Sequence, residues 1–137
     1  MKAEFSDERS LLLLQNFRES IARASVISVK KIFKEVADAP APRFWVGEAR
    51  AARIIGMMRK GIDPTEGMIP EKKEMYRELY RKVRMLEKEH PEMNVGDLVF
   101  TAVNSPAPRS YISWQRARQI VDKAKHIDAK HIDAKHR

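Results

Sequence analysis

Two sets of side chains in this sequence can do chemistry by their type and spacing. Arg50, Arg53 and Lys60 stand three and seven positions apart, and Arg116, Gln119 and His126 repeat that spacing sixty-six positions later, with Lys123 added where Met57 stood. On an α-helix of 3.6 residues per turn, such separations gather each set on one face. Guanidinium, ammonium and carboxamide groups are the donors that reach phosphate oxygens and the acceptor edges of bases, and a helix of this length fits a major groove. Arg43 and Arg109 lie just before the expected helix starts, where unpaired amides and the helix dipole already favour anions, so each is a candidate phosphate clamp.

Other candidate centres are weaker. His126, His131 and His136 recur every five residues. That spacing turns a helix by about 140°, so the imidazoles do not share a face and no carboxylate cluster completes a metal site. His90 precedes Pro91 at a helix end, where it caps the last carbonyls. Glu71, Glu74 and Glu78 alternate with Lys72, Lys73, Arg77 and Lys82, the pattern of a solvated, salt-bridged helix face with Glu78 opposite Lys82. There is neither a glycine-rich phosphate loop nor a nucleophile elbow. The expectation is a protein that is not an enzyme and needs no metal or other cofactor.

Charge points the same way. The formal net charge is +8 over 137 residues. The windows Arg43 to Lys60 and Arg109 to His126 each hold five basic side chains against one acidic, a net of +4 apiece, which accounts for the whole excess. A basic surface of this kind favours a polyanionic partner. The chain has no cysteine, which rules out disulfides and thiolate zinc sites and makes a reducing cytoplasm the natural compartment. Leu11 to Leu14 is the only apolar block near the start. It is too short to span a bilayer and follows Asp7, Glu8 and Arg9 rather than a basic leader, so neither a signal peptide nor a membrane partner is expected.

The elements that carry these residues come in duplicate. Pro40-Ala41-Pro42-Arg43 returns as Pro106-Ala107-Pro108-Arg109, followed in both places by an aromatic (Trp45, Tyr111), a β-branched residue (Val46, Ile112) and an Arg-Ala pair (Arg50-Ala51, Arg116-Ala117). Around each strap the apolar periodicity predicts three helices. The first runs from a Ser6 cap to about Ala24, burying Leu13, Leu14, Phe17 and Ile21. The second follows a Ser28 cap and the weakly helical stretch from Ser25, with Val29, Ile32, Phe33 and Val36 as its stripe. The prolines then hold 39–46 extended, and a third helix runs from Gly47 to Gly61 on Ala51, Ile54, Ile55 and Met58. In the second copy Pro70 opens a helix on Met75, Leu79, Val83 and Leu86, Asn94 caps one on Val95, Leu98, Val99 and Ala102, and Ser113 caps one on Ala117, Ile120, Val121 and Ala124.

The expected organisation is therefore an all-α fold, with a first three-helix repeat over 1–61, a linker over 62–70, a second repeat over 71–126 and a low-complexity basic, His-containing tail over 127–137, the two repeats packed into one compact body. The tail is expected to fray or to extend the last helix weakly. Along an extended strap Trp45 and Tyr111 point away from Val46 and Ile112 and pack onto the preceding helix. Trp114, which has no counterpart, marks the face where the copies meet.

In its order of helix, helix, connection and basic helix, each copy resembles a helix-turn-helix module, although its connection of about eight residues exceeds the usual short turn. The resemblance implies a reader helix placed last. The function expected is non-catalytic binding of double-stranded nucleic acid, DNA ahead of RNA, in regulation or DNA organisation, by an internal pseudo-dimer whose contacts are Arg43, Arg50, Arg53, Lys60, Arg109, Arg116, Gln119 and Lys123. The alternative is a helical interaction protein or self-assembling homo-oligomer with grooves lined by Trp45 and Tyr111; RNA binding within a larger complex is a third reading.

Overall fold

The computed structural model describes residues 5–24 and 28–135. Their regular structure is helical: α1 (Ser6–Arg23), α2 (Val29–Asp38), α3 (Glu48–Arg59), α4 (Pro70–Glu89), α5 (Val95–Val103) and α6 (Trp114–Lys135). One isolated antiparallel bridge, Ala41 with Ala107, is the β-type pairing among the described residues. The link at Ser25 to Ile27 and the last histidine, His136, lie outside the described residues.

Local chemistry accounts for the helix ends. Asn94 Oδ1 accepts from the Asp97 amide at 2.8 Å and Ser113 Oγ from the Arg116 amide at 3.1 Å, so two amides left without helical partners are satisfied. Ser28 caps α2 more weakly, at 3.5 Å. Ser6 does not cap α1. The Arg9 amide bonds to Phe5 O at 2.8 Å, so the helix begins one residue earlier, behind a buried Phe5, and Ser6 sits inside it with Asp7 and Glu8 in the first turn. The C-terminus of α3 closes as a Schellman motif, with Ile62 N bonded to Met57 O, Gly61 N to Met58 O and Gly61 at φ 81°. Gly61→Ala forces a Cβ into the left-handed region and is expected to cost about 1–2 kcal/mol, read as a lowered urea midpoint. Beyond Trp114 the helical backbone of α6 continues through Lys135, so the tail extends that helix.

The helices assemble into two compact units, Met1–Ala39 with Ile112–Arg137 and Pro40–Tyr111. In the first, α1, α2 and α6 pack on one another around Leu13, Leu14, Phe33, Val36, Ile120 and Val121, with Phe17 stacked on Phe33 at 5.1 Å. Trp114, from the second sequence copy, is half-buried against this same core, which α1 and α2 of the first copy build together with α6. In the second, α3, α4 and α5 pack on one another around Ile54, Ile55, Tyr76, Leu79, Leu98 and Val99. The units cut across the 1–61 and 71–126 segments, because the first is completed by α6 and the second by α3. The strap explains this. Residues before Pro40 and Pro42 are barred from helical backbone, and the strap's donors pair with the second strap and with α5, so the chain is not turned back onto α1 and α2.

The two straps lie together in the second unit. Ala41 and Ala107 exchange both N–H to O bonds at 2.9 Å, and Phe44 N bonds to Val103 O at 2.9 Å. The Phe44 ring stacks on Tyr111 at 6.1 Å, and Trp45 Nε1 donates to Ser110 Oγ at 3.0 Å. The first strap is not extended to its end. Val46 N bonds back to Phe44 O at 3.0 Å, and this tight turn lets three consecutive residues, Phe44, Trp45 and Val46, be buried where strict alternation would expose one. Tyr111 takes a positive φ of 56°, which costs a non-glycine residue about 1–2 kcal/mol and is offset by burial of its ring.

Candidate nucleic-acid interface

Packing of one stripe inward sets what each third helix shows to solvent. In α3, Ala51, Ile54 and Ile55 are buried, and Arg50, Arg53 and Lys60 on the opposite side are exposed. Arg50 Nε donates to Tyr76 Oη on α4 at 3.2 Å, which fixes the base of its side chain while leaving terminal donors at the surface. Neighbouring Arg59 turns aside. Its two terminal nitrogens fork onto Glu87 of α4 at 3.0 Å each, and this hydrogen bonding holds the Glu87 carboxyl below its usual range.

In α6, Ala117, Ile120, Val121 and Ala124 are all buried, and Arg116, Gln119, Lys123 and His126 are exposed. Arg116 Nη1 donates to Gln119 Oε1 at 3.3 Å, so these two side chains lie side by side along the helix. Arg118 pairs with Asp122 at 3.9 Å, and Lys125 stands over the Phe17 ring at 4.0 Å. The two basic helices thus differ in one anchor: α4 offers Arg50 the Tyr76 hydroxyl, while Phe17, the matching residue of α1, has none to offer Arg116.

The strap arginines have intramolecular partners. Arg43 donates Nε to Phe44 O at 3.0 Å and Nη2 to Val46 O at 2.8 Å, bracing the tight turn from within. Arg109 is exposed, with Nη1 3.6 Å from Glu74 Oε2 and its guanidinium 5.8 Å from the Tyr111 ring centre. Of the eight residues selected from sequence, six therefore lie on two exposed helix faces and two brace or flank the straps. Trp45 and Tyr111 are 6% and 7% exposed, and Tyr111 forms part of the lining of a surface groove with Glu74, Arg81, Pro108 and Arg109.

Three residues matter here that their spacing did not reveal. Lys82 reaches Ser105 Oγ at 3.1 Å and the Pro106 carbonyl, and lies 5.5 Å from the Phe44 ring centre, so it ties α4 to the second strap. Glu78, expected opposite Lys82, pairs instead with Arg81 at 2.7 Å. Arg9 approaches the basic face of α6, where burial and, secondarily, the charge of Arg116 lower its pKa. Tyr76 holds Arg50. Lys82, Arg9 and Tyr76 each act through a tertiary contact, for which the local period carries no signal. The alternating charges of α4 marked only a polar face.

Among the described residues no three His, Asp or Glu side chains are grouped so as to hold a metal ion, and no helix is long and apolar enough to cross a membrane. Comparison with protein-family models, with curated proteins and with solved structures gives no match.

Proposed function

We propose that this protein is a non-catalytic nucleic-acid-binding protein that grips a DNA duplex through the solvent faces of α3 and α6, in the regulation or organisation of DNA. The observation that carries this reading is the segregation of charge on those two helices. Arg50, Arg53 and Lys60 on one, and Arg116, Gln119 and Lys123 on the other, are exposed, with their helices' apolar stripes turned inward. Exposed cations at helical spacing release counterions on meeting phosphates, and exposed Arg and Gln side chains suit base edges. Arg43 and Arg109 contribute to the local positive field while shaping the straps that lead into the two helices.

The reading includes a duplicated three-helix unit whose copies have exchanged their third helices. The strap contacts support it. Ala41 pairs with Ala107, its own equivalent sixty-six positions on, and Phe44 meets Tyr111 while Trp45 meets Ser110. In repeat terms, position i touches j of the other copy and j touches i, the pattern of an isologous contact.

Paired substitutions test the face rather than the net charge. Arg53→Ala with Lys60→Ala is expected to weaken binding of a labelled duplex about 50-fold in 0.1 M salt, since each phosphate contact is worth about a factor of eight there. Arg81→Ala with Lys88→Ala removes the same charge from exposed positions of α4 and is expected to change binding less than about threefold. Equal losses from the two pairs would reduce the interaction to net charge and sink the proposed interface.

A further inference from the structure

Between α1 and α6 of the first unit lies a groove of about 480 Å³ whose lining divides into two chemistries. Its floor is apolar, built from Leu14, Ile120 and Ala124, and its walls include Leu11 and Ile127, which are 68% and 53% exposed. Its polar part holds three cations, Arg9, Arg116 and Lys123, against the single carboxylate of Asp7. Arg9 is the unusual member. Its Nε is sealed from solvent and has no hydrogen-bond acceptor, its guanidinium lies 5.4 Å from the Phe5 ring centre, and the charge of Arg116 bears on it. The sealed Nε is itself out of reach of a ligand, so an anion in the groove would meet the half-buried Arg9 at its terminal nitrogens and balance the charge it shares with Arg116.

We infer that this groove binds a small anionic amphiphile, a medium-length alkyl chain ending in a carboxylate, with the chain laid along Leu11, Leu14, Ile120 and Ile127 and the head drawn to Arg9, Arg116 and Lys123. Both halves of the ligand are required by the lining. A simple anion leaves the exposed Leu11 and Ile127 uncovered, and a neutral hydrocarbon leaves the three cations unbalanced. Size argues for a small molecule over a folded partner. The volume falls within the roughly 300–1,000 Å³ of small-ligand sites. The twelve lining residues fall short of the roughly 20–30 per side of a stable protein interface. This inference does not rest on the nucleic-acid reading, although Arg116 and Lys123 serve both, so its test is run without nucleic acid.

The test is calorimetric titration of the full chain with decanoate, with decyltrimethylammonium and with acetate, each below any micelle-forming concentration. Decanoate is expected to bind saturably at one site per chain, with the cationic chain and acetate each at least about tenfold weaker. Arg9→Met and Lys123→Glu are each expected to weaken decanoate about tenfold, the loss of one charge-assisted contact, with far-ultraviolet circular dichroism unchanged. Should Arg9→Met fail to fold, exposed Lys123 and Leu11→Asp carry the test. No decanoate binding, equal affinity for the two alkyl chains, or full affinity in Lys123→Glu and Leu11→Asp would overturn the assignment.

Discussion

Phe44→Ala is expected to lower the stability of the protein by about 3–5 kcal/mol, the usual cost of removing a fully buried aromatic ring and leaving a partly collapsed cavity. The ring is 1% exposed, stacks on Tyr111 and lies beneath the Lys82 ammonium. Its loss therefore removes the packing that holds the two straps together and the burial that keeps Tyr111 at its positive φ. For a unit of this size that is a fall in Tm of about 15–30 °C. Phe44→Leu, which keeps most of the volume, is expected to recover much of the stability and to lose chiefly the stacking and cation–π contributions, about 1–3 kcal/mol together. A cost below about 1 kcal/mol for Phe44→Ala, measured by thermal or urea unfolding, would mean that the strap pair is not a packing centre.

Joint replacement of Arg53, Lys60, Arg116 and Lys123 by Ala is expected to weaken duplex binding by about a thousandfold or more in 0.1 M salt, because four phosphate contacts at about a factor of eight each multiply. All four side chains are exposed. Their removal is therefore expected to leave the unfolding midpoint nearly unchanged, each surface change being worth within about 0.5 kcal/mol. Arg50 is left out of the set deliberately: its Nε bond to Tyr76 Oη gives it a packing role, so a loss at that position would mix binding with stability. Retained affinity in the fourfold variant, with the fold intact by circular dichroism, would remove α3 and α6 as the interface.

Helix faces are the best-read part of this sequence, because an apolar stripe at helical spacing is a local signal. Of the stripes Ala51, Ile54, Ile55, Met58 and Ala117, Ile120, Val121, Ala124, all but the half-buried Met58 are buried as their period implies, and the exposure of Arg53, Lys60, Gln119 and Lys123 follows from it. Val29 and Val95, first in the stripes of α2 and α5, are by contrast exposed at the helix starts. The Asn94 and Ser113 caps and the Gly61 stop are also local and also legible. What a stripe covers is a different question. Nothing in the period of α3 says that it packs on α4 and α5 while α6 packs on α1 and α2, since that pairing is decided by stiff proline straps and by contacts between them. Phe44 is hidden for a related reason: its repeat counterpart is Ser110, so the comparison that brings out Trp45 and Tyr111 passes over it, although it is the more deeply buried of the strap aromatics. Arg43 shows the limit of reading a cation by its neighbours, because the carbonyls it holds become close only when the strap turns at Phe44 to Val46.

The most direct test of the account is the salt dependence of duplex binding by the intact chain, followed by fluorescence anisotropy of a labelled 20-base-pair DNA from about 50 to 200 mM salt. Four or more phosphate contacts predict that log K falls against log salt with a slope of about −4 or steeper, and that the fourfold variant loses about 3–4 units of that slope. No binding at about 50 mM salt, or a slope near zero, would contradict a duplex held on the basic faces of α3 and α6.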